Sequence, residues 1–179
     1  MRTKCGFAFF ASLILIVAPL HFTSLYSSQL FADDPQVVEI KTEDVRDLLN
    51  KQKKAEAEAK KAGRQVPQAD FVLVDVRSEA EMNISIIPGA TTKEEFESNR
   101  DKYVGRTVIP YCAVGGRSSS YAAKLAEQGH QVKNYKGSIL GWITAEQPLV
   151  TLEGKPTNRV YAFGKNQKIP AKYEQVTSQ

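Results

Sequence analysis

An α/β fold, a parallel sheet with helices on both faces, is what the order of segments in this chain predicts. Three observations carry the prediction. Apolar strand patterns alternate with helical ones from Val37 onward. Asp75, Arg77 and Cys112 all fall at the carboxyl ends of predicted strands, where the ligands of such sheets sit. At 179 residues, with 42% hydrophobic and 25% charged residues, the chain is long enough for one domain with a substantial core and short for two.

Val37 to Ile40 is a short strand, and Thr42 is placed to cap a helix that begins with Glu43 and Asp44 and carries Val45, Leu48 and Leu49 at helical spacing. Asn50 to Gln65 is rich in Lys, Glu and Ala without an apolar stripe, which predicts a solvated helical extension ending near Gly63 rather than a basic docking patch. Phe71 to Val76 is a nearly continuous apolar run, as in a strand covered on both faces. Ile86 to Ala90 turns into a short extended piece, and Lys93 to Tyr103 reads as a helix with Phe96 and Tyr103 on its apolar side. The strand Thr107 to Tyr111 leads through Cys112 and a glycine turn to a helix that stops at Gly129. Val132 to Tyr135 is a further strand, and Gly137 to Trp142 opens a last short helix. Beyond Val150 the chain turns polar, and residues 151–179 are expected as a tail packed along the domain or partly disordered, with Val160, Tyr161 and Phe163 able to pin it down.

The first 32 residues stand apart. Arg2 and Lys4 precede a 14-residue apolar run from Phe7 to Leu20, and a polar stretch ends at Ala32. This is the layout of a secretory signal peptide; the run is short of the roughly 20 residues a membrane-crossing helix needs, which disfavours an uncleaved anchor. The expectation is an exported protein, periplasmic or secreted, with a domain over 37–150. Loss of Arg2 and Lys4 would lower the formal net charge of +4 by two, so charge points neither to nucleic acid nor, once the leader is gone, to a membrane partner. It would also remove Cys5 and His21, leaving Cys112 and His130 as the single residues of their kinds. A lone thiol has no disulfide partner and no resolving cysteine.

A cysteine attacks as its thiolate, and an ordinary thiol is mostly protonated at neutral pH. His130 follows Gly129 at the far end of the helix from Cys112, so a Cys–His pair is not expected. The remaining sources of stabilisation are the backbone N–H groups of Ala113, Val114, Gly115, Gly116, Arg117 and Ser118, the helix N-terminus and the Arg117 charge. Gly115 and Gly116 supply the conformational freedom that turns successive amides toward one centre. Cysteine-dependent phosphatases space cysteine and arginine by five residues; here there are four, which leaves room for a sulfur atom and crowds a tetrahedral phosphate.

Leu73-Val74-Asp75-Val76-Arg77, Glu81, Ile87-Pro88-Gly89-Ala90, the stretch from Val108 through Cys112, Gly115 and Arg117 to Ser118, and finally Gly137 and Trp142 occur in one order. In these motifs the chain resembles the rhodanese (sulfurtransferase) family over about Val37 to Glu146. The resemblance implies a single rhodanese-like domain with a five-stranded parallel core and a thiosulfate sulfurtransferase-like activity. Cys112 would be the catalytic residue, carrying sulfane sulfur as a persulfide between a small donor and an acceptor, which could itself be a protein. Ala113 to Ser118 would form the substrate-binding loop, with Asp75, Arg77 and Glu81 as its support and Glu81 the partner of Arg77. Neither a cofactor nor a metal is implied. The chain departs from the family pattern in Ser85-Ile86, where Gly-His is common, and in the apolar Ala113 and Val114, where thiosulfate-using members are often basic. The alternative is a non-catalytic rhodanese-like binding or sulfur-carrier module.

Overall fold

The computed structural model describes residues 37–161 and 168–176; the leader at 1–32 and Phe163 lie outside them. Strands β1 (Val38–Glu39), β2 (Phe71–Asp75), β3 (Thr91–Thr92), β4 (Thr107–Tyr111) and β5 (Lys133–Asn134) alternate with helices α1 (Thr42–Lys61), α2 (Glu79–Met82), α3 (Lys93–Ser98), α4 (Gly116–Glu127) and α5 (Ser138–Thr144). The chain is therefore α/β, with parallel pairing of β1 to β5 and of β2 to both β3 and β4.

The expected five-stranded sheet is divided into two ladders, β3-β2-β4 and β1-β5. Val108 donates to the Gln131 carbonyl and Tyr135 donates to the Pro110 carbonyl, so β4 and β5 lie side by side. In a parallel ladder the donors facing one neighbour recur every second residue, and the next after Val108 is Pro110, which has no N–H. The proline interrupts the ladder without separating the strands.

Alternation along the strands sorts the core into two layers. Phe71, Leu73, Ile109 and Tyr111 pack with Val45, Leu48 and Leu49 of α1 and Ile139, Trp142 and Ile143 of α5. Val72, Val74 and Val108 face the other way, onto Phe96 of α3 and Tyr121 and Leu125 of α4. Helices thus cover both faces, as a buried parallel sheet requires.

Several expectations are adjusted. Lys41, not Thr42, is the N-cap of α1; the Thr42 hydroxyl instead meets the Tyr135 hydroxyl at 2.9 Å. The Lys-rich stretch continues α1 without a break to Lys61 and buries only Ala59 there. The predicted Lys93–Tyr103 helix divides at Asn99, whose φ of −128° ends α3 before a 3-10 turn over Arg100–Tyr103. Residues after Val150 are structured where described. Strand β6 (Leu149–Val150) pairs antiparallel with β7 (Pro156–Thr157), and β8 (Arg159–Tyr161) pairs parallel with β9 (Glu174–Val176). Val160 and Tyr173 enter the main core, so the packed reading of the tail holds for them. No helix among the described residues is long and apolar enough to cross a membrane.

Candidate active site

Strands β2 and β4 end together, Asp75 in register with Tyr111, and this brings Cys112 beside the turns that follow both strands. The geometry of the loop after Cys112 is set largely by α5. Ile139 donates its amide to the Cys112 carbonyl at 3.1 Å and Leu140 donates to the Ala113 carbonyl at 3.2 Å. With those carbonyls held toward the start of α5, the following amides are free to turn inward. Gly115 donates its N–H to Cys112 Sγ at 3.1 Å, and the amides of Ser118 and Val114 lower the thiol's pKa with it. The Ser118 and Ser119 hydroxyls both donate to the Gly115 carbonyl.

Gly115 has φ +97°, and a Cβ there would stand 2.7 Å from the Lys136 carbonyl oxygen. Both facts demand glycine. Gly116 shows neither restriction: its φ is ordinary and a Cβ would meet nothing within 4 Å. The expectation that both glycines shape the cradle is thereby narrowed to Gly115, with Gly116 serving as the first residue of α4.

Cys112 is 1% exposed. Burial, the largest single influence, pushes its thiol up; the amides of Ser118, Val114 and Gly115 and the Ser138 hydroxyl together outweigh it, and the net direction is down. Ser138 Oγ accepts the Cys112 N–H at 3.1 Å, and its one proton can go either to the sulfur at 3.8 Å or to the Tyr135 carbonyl at 3.1 Å. Sequence reasoning missed Ser138 because its importance depends on α5 folding back onto the loop. Its φ of +56° is the one local mark of a specialised position, and no residue pattern announces it.

The supporting charges pair differently from expectation. Glu81 does not partner Arg77. Arg117 donates twice to Glu81, at 2.7 and 2.9 Å, because α2 points its single buried carboxylate at the start of α4. Ser78 adds its amide and hydroxyl to the same Glu81 oxygen. Burial pushes the Glu81 carboxyl up, yet Arg117 and Ser78 prevail and hold it below the ordinary carboxylate range. Glu81 in turn raises the Arg117 guanidinium, with a smaller contribution from Cys112.

Arg77 pairs with Asp75, its own near neighbour. The side chains of both are fully buried; Arg77 donates Nη2 to Asp75 at 2.6 Å and its backbone amide to the same carboxylate at 3.0 Å. Nη2 also reaches the Ser85 carbonyl. Burial opposes the Arg77 charge and Asp75 more than restores it, so the guanidinium rises above its ordinary value. Tyr111 ties this pair to the sulfur loop. Its hydroxyl accepts the Ile87 amide at 3.1 Å and interacts with Asp75, and burial raises its pKa well above the usual phenol value. Asp75 and Arg77 therefore brace the residue that immediately precedes Cys112.

His130 packs its ring edge-on against Phe96 beyond the far end of α4, as the sequence predicted. Trp142 is buried and donates to the Pro148 carbonyl. Lys136, which sequence reasoning did not single out, lays its stem against Gly115 and pairs its ammonium with Glu39 at 2.8 Å.

The family model described as Rhodanese-like domain matches residues 52–145. No curated protein matches the chain. Among solved structures, a thiosulfate sulfurtransferase from Pseudomonas aeruginosa is similar with a TM-score of 0.51 at 15% identity, over 68% of this chain and 21% of that one. The BH2092 protein from Bacillus halodurans gives 0.46 at 21% identity, over 65% and 79% of the two chains. A rhodanese-related protein from Thermoplasma volcanium gives 0.45 at 21% identity, over 63% and 97%. The chain thus spans about a fifth of the Pseudomonas protein, and at this level of identity the likeness is one of fold.

Proposed function

Because the chain belongs to the Rhodanese-like domain family, whose members include sulfurtransferases, we propose that it moves sulfane sulfur from a donor, thiosulfate or a persulfide or polysulfide, to a thiophilic acceptor through a persulfide on Cys112. The observation that carries this reading is the Gly115 N–H held 3.1 Å from Cys112 Sγ, joined by the amides of Ser118 and Val114 in drawing the thiol pKa down. Donors fixed in advance around a forming charge stabilise it without reorganisation.

The Cys112 thiolate attacks the outer sulfur of the donor. A new sulfur–sulfur bond forms at Cys112, and the bond to the remainder of the donor breaks, that remainder leaving with the electron pair as sulfite or a thiolate. The terminal sulfur of the persulfide then carries the negative charge within the cradle. A nucleophilic acceptor attacks that sulfur, and Cys112 departs as the thiolate it was at the start. Electrons balance across the cycle, so no external oxidant or reductant enters. Arg117, anchored by Glu81, keeps a positive charge beside the sulfur in both states. Asp75, Arg77 and Tyr111 hold the end of β4 and do not touch the reacting atoms.

A binding or sulfur-carrier module is the second reading, favoured by the 1% exposure of Cys112. Mass spectrometry after treatment with thiosulfate or polysulfide separates the enzyme from a binding module, and a sulfur carrier differs from the enzyme in taking up the same atom without repeated turnover. A gain of one sulfur atom on Cys112, discharged by cyanide as thiocyanate, is expected for the enzyme. Cys112→Ser abolishes both while leaving the melting temperature close to wild type. No adduct with any sulfane donor would leave the binding role. Export to the periplasm or the medium is likewise proposed, supported by the leader pattern of residues 1–32.

A further inference from the structure

Along one flank of α4, Arg117, Ser120, Tyr121 and Lys124 succeed one another at positions i, i+3, i+4 and i+7, the spacing of a single helix face. With Val76 and with Lys93 from the start of α3 they line an open cavity of about 400 Å³. Lys93 is held in place by the ring of Tyr121, its Nζ lying 5.1 Å from the ring centroid. Among the described residues neither Lys93 nor Lys124 forms an ion pair, and both are exposed. Of the carboxylates nearby, Glu81 is paired with Arg117, and Glu97 keeps its charge but is turned to the Tyr121 hydroxyl and makes no ion pair with either lysine. This side of the molecule therefore presents two exposed lysines, neither held in an ion pair among the described residues, that the sulfur chemistry does not use.

The rim of the sulfur loop is different. Ala113 and Val114 are apolar, and the latter is 57% exposed. The two cations flanking the loop are each held in an ion pair, Arg117 with Glu81 and Lys136 with Glu39. Free positive charge is thus displaced from the sulfur along α4. Seven residues of helix at 1.5 Å each put Lys124 about 10 Å from the turn that carries Arg117. A small oxyanion cannot meet an apolar sulfur mouth and a cationic patch so far away at once. A polypeptide bearing a thiol, with acidic side chains a few residues from it, can.

We propose that the Lys93–Lys124 flank of α4 is the docking surface for the acidic segment of a cysteine-bearing protein acceptor, which receives the Cys112 sulfur. The assignment rests on the sulfurtransferase reading and names its acceptor class. Docking is electrostatic and lies at an exposed rim, so each lysine contributes modestly and the effect is screened by salt.

The test uses synthetic peptides with one cysteine followed by glutamates, glutamines or lysines, together with cyanide as an acceptor too small to reach the flank. Persulfide discharge by the purified protein is expected to favour the glutamate peptide. The double variant Lys93→Gln, Lys124→Gln is expected to lose about tenfold in kcat/KM for that peptide alone, to lose its salt dependence, and to discharge to cyanide as wild type does. Binding of the glutamate peptide with serine in place of cysteine, followed by fluorescence anisotropy, should weaken in parallel. Equal use of the three peptides, or an unchanged double variant, would overturn the proposal. So would a small dicarboxylate thiol that matches the peptide and depends equally on both lysines. Failure of wild type to discharge even to cyanide would count against the sulfurtransferase reading, while the anisotropy measurement would still decide whether the flank binds acidic peptide.

Discussion

At residue scale the sulfur atom is controlled by two residues that the chain separates widely, Gly115 and Ser138. Gly115 contributes an amide from a left-handed conformation over a backbone oxygen that leaves no space for a Cβ. Ser138 accepts the Cys112 amide and stands beside the sulfur, and it adopts φ +56° to do so. Such a conformation costs a non-glycine residue on the order of 1 kcal/mol, which the hydroxyl's hydrogen bonds offset. Ser138→Ala removes the hydroxyl, leaves the buried Cys112 amide without its acceptor, and should destabilise the protein by about 1–3 kcal/mol. It should also raise the midpoint of thiolate formation, followed by ultraviolet absorbance, because once Cys112 is charged the hydroxyl proton can turn from the Tyr135 carbonyl to the sulfur, and that donor is lost. An unchanged midpoint would show that the amides act alone. Since the folded thiol is depressed, its ionisation adds stability that is complete above the unfolded thiol pKa and is lost as pH falls through the lowered folded value.

At the scale of elements, the short α2 acts as a clamp on the much longer α4. One turn of helix supplies Glu81, which holds Arg117 by two hydrogen bonds and is itself held by its own N-cap, Ser78. Arg117 is partly solvated, so the pair is screened on one side. Glu81→Gln should therefore lower stability by about 1 kcal/mol at neutral pH and slow sulfur transfer by loosening the start of α4. The sign with pH follows from the depressed Glu81 carboxyl. Its contribution is complete above the ordinary carboxylate pKa and fades as pH falls through the lowered folded value. The melting temperatures of wild type and Glu81→Gln should accordingly converge in acid; a gap that is independent of pH would remove the ion pair as its cause. The sheet shows a comparable economy of means, Pro110 breaking the β4–β5 ladder while its carbonyl still receives Tyr135.

At the scale of the whole molecule, residues beyond Val150 complete the core that the parallel strands begin. Val160 and Tyr173 are 1% and 8% exposed within the layer formed by α1, α5 and the sheet, and β7 is the partner of β6. Burying side chains of this size is worth roughly 1.5–3 kcal/mol each. A chain ending at Val150 should melt well below the full one and expose apolar surface to a dye. Equal melting temperatures would return these residues to the status of a dispensable tail.

Local pattern and tertiary contact divide the outcome along physical lines. The α/β class, the positions of β2, β4 and α4, and the placing of Cys112 between a strand end and a glycine turn were legible because they depend on hydrophobic periodicity, a glycine turn and a residue type, all properties of neighbours in the chain. The four-residue spacing from Cys112 to Arg117 was legible for the same reason. Periodicity says nothing about which acid will meet which base once helices pack, so Arg77 was matched with Glu81 when Asp75 lay closer and α2 faced α4. Nor could it place Ser138 beside a sulfur 26 residues earlier. Val160 was legible as an apolar residue able to pin the tail, but the polarity around it concealed Tyr173, whose burial depends on a surface that exists only after the sheet has formed. The sequence by itself determined the elements and the position of the lone thiol after β4; the tertiary structure alone decided the thiol's surroundings, because hydrogen bonds and ion pairs answer to distance in space and not to distance along the chain.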